Sequence, residues 1–70
     1  MVDQAVLVDA RGLRCPWPVL RLARALRDGA PAVELLSDDP AAGGEIAAFA
    51  AERGLSLVVD HFRFVVSPAA

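Results

Sequence analysis

The chain has 70 residues, of which 56% are hydrophobic, and its formal net charge at pH 7 is −2. This length allows one small domain, predicted to span residues 1–70, with a thin core and marginal stability. The negative charge argues against direct binding of nucleic acid, although five of the seven basic residues lie between Arg11 and Arg27. No apolar run approaches the roughly 20 residues needed to cross a bilayer, so no membrane partner is expected.

The single cysteine, Cys15, limits which cellular compartment and which metal sites are possible. One cysteine cannot form an internal disulfide, which fits a reducing compartment, and residues 1–4 lack the positive start of a secretory signal. We therefore expect a cytoplasmic protein. Cys15 and the lone histidine, His61, cannot supply the four ligands of a zinc site, and His61 is expected in a surface turn rather than paired with Cys15.

The first half of the chain predicts a strand, a helix and a second strand. Ala5–Asp9 is a short β-branched run, followed by a loop in which Gly12 supplies a positive φ. An amphipathic helix is predicted over 16–28 and ends at Gly29. Ala32–Ser37 is the second strand. The apolar positions of the helix are Val19, Leu22, Ala23 and Leu26.

The second half predicts another helix and a closing hairpin. Asp39 at the N-cap and Pro40 at the first helical position begin a helix that ends near Arg53, before Gly54. Its buried side is predicted to be Ile46, Phe49 and Ala50. Residues 55–59 and 62–66 are predicted strands joined through Asp60 and His61, with Phe62 and Phe64 on one core face and Pro68 marking the end of order.

The element order β-α-β-α-β-β predicts the architecture. A strand–helix–strand unit makes the first two strands parallel, whereas the closing hairpin is antiparallel. Two amphipathic helices can cover only one face of the resulting mixed four-stranded sheet. The prediction is a two-layer α/β sandwich of the α+β type.

The segment Arg14-Cys15-Pro16-Trp17-Pro18 concentrates the chemistry. With Cys15 as N-cap and Pro16 at the first helical position, the Trp17 N–H would face the sulfur. The helix start, together with Arg14 and the nearby Arg11, is expected to lower the pKa of the thiol. The pattern predicts an exposed nucleophilic thiolate; a buried structural cysteine is the ordinary alternative.

Several neighbours of Cys15 have two interpretations. Trp17 is either a docking residue or a cover for the edge of the core. Arg11, Arg14 and Arg21 either bind an acidic partner or the anionic sulfur group, or simply form a solvated basic face. Asp39 is interpreted chiefly as a helix cap.

Two blocks of sequence resemble the TusA/SirA family of small sulfur-carrier proteins. Residues 9–19 read Asp-Ala-Arg-Gly-Leu-Arg-Cys-Pro-Trp-Pro-Val and are similar to the family's Asp-x-x-Gly-Leu-x-Cys-Pro-x-Pro-Val block. Residues 38–41, Asp-Asp-Pro-Ala, resemble its second block, and Glu45 and Ile46 stand where Asp-Ile is common. The resemblance covers almost the whole chain and implies the same two-layer fold. The link between the last two strands is shorter than in longer members.

The resemblance implies that Cys15 accepts a sulfane sulfur from a donor such as a cysteine desulfurase or a rhodanese-like protein. It would hold the sulfur as a covalent persulfide, with no other cofactor, and pass it to an acceptor protein. The chain would then be a sulfurtransferase in the relay sense. Cys15 would be positioned by Gly12, Pro16, Pro18 and Asp39. Family destinations are tRNA thiolation, molybdenum cofactor maturation and sulfur oxidation.

Two other functions stay open from the sequence. The chain could be a non-catalytic interaction or regulatory module that docks through Trp17 and the arginine face. It could also be a thiol redox sensor that reports through oxidation of Cys15.

Overall fold

Two helices and four strands make up the fold. The computed structural model describes residues 5–69; residues 1–4 and 70 of the predicted domain lie outside the described residues. The element order is the predicted β-α-β-α-β-β. The elements are β1 (Ala5–Asp9), α1 (Trp17–Arg27), β2 (Ala32–Leu36), α2 (Ala42–Arg53), β3 (Leu55–Asp60) and β4 (Arg63–Pro68).

The strands form one mixed sheet with the spatial order β1-β2-β4-β3. β1 pairs with β2 in parallel, whereas β4 is antiparallel to both β2 and β3. Val8 lies opposite Leu35, which in turn lies opposite Phe64, so these three side chains share one face. The predicted mixed sheet is confirmed.

Both helices pack on that same face of the sheet. Leu22 of α1 and Ile46 of α2 are fully buried and join one core cluster with Val33 and Leu35 of β2. Because successive strand residues point to opposite faces, Glu34 lies on the other face, where its carboxylate pairs with Arg63 at 3.1 Å. The predicted two-layer sandwich is confirmed.

The closing hairpin differs from the prediction at both ends. Asp60 pairs with Arg63, so the turn consists of His61 and Phe62, and His61 adopts a positive φ of 55°. Phe62 is therefore 61% exposed, and its predicted place on the core face is wrong. β4 also continues through Pro68, which pairs with Leu55 rather than marking the end of order.

The second helix begins two residues later than predicted. Asp39 and Pro40 precede it: Asp39 Oδ1 accepts the Ala41 N–H, and the Asp39 carbonyl accepts the Ala42 N–H. The N-cap is thus Ala41 and not Asp39, because these bonds make a turn ahead of the helix. The C-terminal end is as predicted, since Gly54 adopts the left-handed φ of 66° that favours glycine.

Neither helix within residues 5–69 has the length and hydropathy required to cross a membrane.

Replacing Leu22 by Ala tests the core. Leu22 is fully buried, so its truncation should lower the free energy of unfolding by about 2–5 kcal/mol. That is a large part of the roughly 4–10 kcal/mol expected for a domain of this size. Leu20→Ala in the same helix is the matched control, because Leu20 is 48% exposed and should cost far less. Urea denaturation measures both, and equal midpoints for the two variants would contradict the packing described.

Candidate functional site

The only cysteine lies in the loop between β1 and α1, and its side chain is exposed and unoxidised. The Cys15–Pro16 peptide bond is cis. An exposed thiol is what the sequence predicts, and the alternative of a buried structural cysteine is wrong. The sulfur is therefore accessible to a reactant from solvent.

Two carboxylates hold the backbone of this loop. The Gly12 N–H donates to Asp38 Oδ1 at 2.9 Å, and the Cys15 N–H donates to Asp39 Oδ2 at 2.8 Å. Asp38 and Asp39 follow β2 closely, and β1 and β2 are parallel, so the two loops leave the sheet at the same edge. The Ala10 N–H, bonded to the Leu36 carbonyl at 2.8 Å, continues this pairing beyond β1.

The predicted capping of α1 by the sulfur is wrong. The helix begins at Trp17, its N-cap is Pro16, and no side chain caps it. The Trp17 N–H donates to the Arg14 carbonyl at 2.8 Å instead of to the sulfur. Cys15 thus precedes the helix in a turn, and the N-terminus of α1 does not bind its thiol.

The thiol instead contacts a carboxylate from α2. Cys15 Sγ donates to Glu45 Oε1 at 2.7 Å. The pKa of the Cys15 thiol is raised, first by this hydrogen bond, then by desolvation and by the negative charges of Glu45 and Asp39. The predicted lowering of the pKa is therefore wrong, because carboxylates rather than cations surround the sulfur.

Arg11 is occupied by a different partner. Its Nη2 and Nε donate to the two carboxylate oxygens of Asp9 at 2.8 and 3.0 Å, and its backbone N–H also bonds to Asp9 Oδ1. These hydrogen bonds lower the pKa of Asp9 to about 2. The Arg11 guanidinium thus neutralises the end of β1 rather than facing the thiol.

The remaining predicted partner-binding residues separate into two places. Trp17 and Arg21 line one groove of about 510 Å³ along α1, together with Leu20 and Arg24. Trp17 is 58% exposed in this groove. Arg14 lies in a second, smaller cavity, which Asp38 and Asp39 also line, among other residues. Binding of a partner by these side chains stays a prediction.

The predicted positioning residues have distinct local roles. Gly12 adopts the positive φ expected of it, 84°, at the bend that presents its N–H to Asp38. Pro16 provides the N-cap of α1, and Pro18 is a fully buried residue of its first turn. The Asp39 carboxylate accepts the N–H groups of both Cys15 and Ala41, so it fixes the Cys15 loop as well as the turn before α2.

Sequence reasoning missed Glu45 as a site residue. The available signal was its place after the second family-like block, at a position where Asp is common in the family, but no local pattern indicated contact with Cys15. Within residues 5–69, no three metal-binding side chains form a cluster.

Comparisons with known proteins show which family the chain is similar to. The family model described as "Sulfurtransferase TusA" matches residues 6–67. A protein of Archaeoglobus fulgidus named "Putative sulfur carrier protein" is 40% identical over 53 residues, which cover 73% of this chain and 69% of that protein. The fold and the loop cysteine define a small α/β domain built to expose one thiol. The chain belongs to the TusA sulfurtransferase family.

Replacing Asp39 by Ala should release the Cys15 loop. The change removes the acceptors of the Cys15 and Ala41 N–H groups, so stability should fall by on the order of 1 kcal/mol and the Cys15 amide should exchange faster. Amide hydrogen exchange followed by NMR measures this. Asp60→Ala, at an exposed carboxylate of the hairpin, is the control, and unchanged Cys15 exchange in Asp39→Ala would contradict the anchoring.

The Asp9 carboxyl should titrate near pH 2, as its lowered pKa requires. Because this pKa lies below the unfolded value, the ion pair stabilises the fold above about pH 4 and this contribution is lost as pH falls towards 2. Arg11→Gln should raise the midpoint towards the ordinary value of about 3.9, but not all the way, because the backbone N–H of residue 11 still donates to Asp9 Oδ1; Arg24→Gln should leave it unchanged. A carboxyl-carbon NMR titration decides, and an unchanged midpoint in Arg11→Gln would refute the assignment.

Proposed function

We propose that this protein is a sulfur carrier that accepts a sulfane sulfur on Cys15 as a persulfide and relays it to an acceptor protein. The observation that carries the proposal is an exposed cysteine without a disulfide, on a loop held by two carboxylates, in a chain of the TusA family. The name of the Archaeoglobus protein points to the same role. With no second cysteine in the chain, an internal disulfide cannot compete with onward transfer.

The loop geometry suits exchange between proteins. Thiol exchange requires direct approach of one sulfur to another, so the carrier sulfur has to protrude and its backbone has to be fixed. The hydrogen bonds from Gly12 and Cys15 to the β2–α2 loop supply the fixed backbone. The donor is a persulfide-bearing protein such as a cysteine desulfurase or a rhodanese-like protein, and the setting is the cytoplasm.

The onward pathway is one of those known for the family: tRNA thiolation, molybdenum cofactor maturation or oxidation of reduced sulfur. In each of them the acceptor is a protein, and Cys15 needs no small-molecule cofactor beyond the sulfur that it carries. The chain then acts as a sulfurtransferase only in the relay sense, since it transfers one sulfur and is regenerated as a thiol.

A second candidate function is a docking module. The groove that brings together Trp17, Leu20 and two arginines supports it, because exposed aromatic and arginine side chains are typical anchors of interfaces. The third candidate, a redox sensor, is disfavoured, since such sensors use cysteines with a low pKa and that of Cys15 is raised.

Mass spectrometry tests the carrier function. Incubation with a cysteine desulfurase and cysteine, or with inorganic polysulfide, should add about 32 Da to the wild type, as expected for one persulfide sulfur. Cys15→Ser should gain nothing, although its hydroxyl can still bond to Glu45. A reductant should remove the added mass.

Two outcomes would count against the carrier. Neither sulfur source adding mass to the wild type would refute it, as would equal addition to Cys15→Ser. If partner binding survives in Cys15→Ser and the wild type carries no sulfur, the docking module through Trp17 is the function instead.

A further inference from the structure

We propose that Glu45 is a positioning residue for the chemistry of Cys15: its carboxylate holds the protonated thiol against the first turn of α2, and the sulfur reacts only after leaving this contact. The proposal rests on the function proposed above and names a residue that regulates it. In the free protein, Glu45 thus keeps the thiol protonated and lowers its reactivity, rather than activating it.

The geometry carries this inference. Glu45 lies in the first turn of α2, where the partial positive charge of the helix start favours a carboxylate. The Glu45 side chain is half-buried, and its Oε1 accepts the Cys15 thiol at 2.7 Å. The Cys15 backbone is held by Asp39, so the sulfur and the carboxylate are both fixed from the α2 side.

The charges facing the sulfur reinforce the contact. Glu45 comes from α2 and Asp39 from the β2–α2 loop, and the negative charges of both disfavour a thiolate. Arg14 lies in the loop of Cys15 itself, whereas Arg11 is neutralised by Asp9. The raised pKa of Cys15 agrees with this predominance of carboxylates.

Transfer of a persulfide sulfur to Cys15 requires that the thiol lose its proton. The Cys15 thiolate attacks the terminal sulfur of a donor persulfide R–S–SH and forms Cys15–S–SH, while the donor S–S bond breaks and its electron pair leaves on R–S⁻. The proton given up by Cys15 ends on R–S⁻, so the balance is Cys15–SH plus R–SSH to Cys15–SSH plus R–SH. In the proposed sequence, the thiol hydrogen leaves Glu45 before the proton passes to R–S⁻ and the sulfur is transferred.

Glu45→Gln tests the inference, because glutamine keeps a hydrogen-bond acceptor and nearly the same shape but removes the charge. Alkylation by iodoacetamide is followed from neutral to alkaline pH, with no sulfur donor present. The pKa of Cys15 should fall in this variant. A tenfold larger thiolate fraction at neutral pH would raise the rate only about threefold, because nucleophilicity falls with the pKa; an increase of that size or more is expected.

Glu52→Gln is the matched control, since it removes the same charge from α2 about two turns further along, and it should behave as the wild type. An unchanged profile in Glu45→Gln, or an equal change in both variants, would overturn the proposal. The wild type gives a reading that needs no variant: a Cys15 pKa below that of an unstructured cysteine peptide would also overturn it. Because alkylation needs no sulfur donor, failure here leaves the persulfide experiment intact, and the converse also holds.

Discussion

The parallel pairing of β1 with β2 is the constraint on which the site depends. It places the end of β1 beside the end of β2, so that the cysteine loop and the acidic loop leave the sheet together. Two backbone N–H groups of the first loop then find carboxylates of the second at 2.8 and 2.9 Å. Without this pairing, the thiol would sit on an unsupported loop, and α2 would not begin beside it.

The site consequently has two electrostatic sides. On one side, the Glu45 carboxylate of α2 accepts the Cys15 thiol, and Asp39 of the β2–α2 loop accepts the Cys15 N–H. On the other side, Arg21 and Arg24 line the groove along α1 next to Trp17. For the proposed carrier, a charge pattern of this kind would fix the orientation of a protein partner more than its affinity. The exposed indole of Trp17 adds an apolar surface to this groove.

Much of the fold could be predicted because the apolar pattern of each element is local. Leu22 in α1 and Ile46 in α2 each belong to an apolar set at helical spacing, and both are buried. The alternation along β4 correctly predicted Phe64 in the core. Phe62 continues the same alternation, yet the two-residue turn takes it out of the sheet, which only the β3–β4 register decides. The exposed position of Cys15 could likewise be predicted from the proline-rich turn.

The chemistry around the sulfur could not be predicted in the same way. A cysteine before a proline-rich helix suggests a lowered pKa on local grounds, but the group that decides the pKa, Glu45, lies 30 residues away in sequence. Arg11, expected to favour the thiolate, is bound to Asp9 instead. From the sequence, Asp39 is expected to be a helix cap; in the structure it joins the Cys15 loop to the β2–α2 loop instead. These are tertiary contacts, and no spacing rule specifies them.

The face of the sheet that the helices leave open carries its own constraint. Leu7, Glu34, Val65 and Val58 form one row across the four strands, and Glu34 is paired with Arg63 in its middle. A second layer stacked on this row would gain apolar contact at either end but would have to strip water from an ion pair at the centre, which costs several kcal/mol per ion. The pair therefore opposes sheet-to-sheet stacking of neighbouring copies.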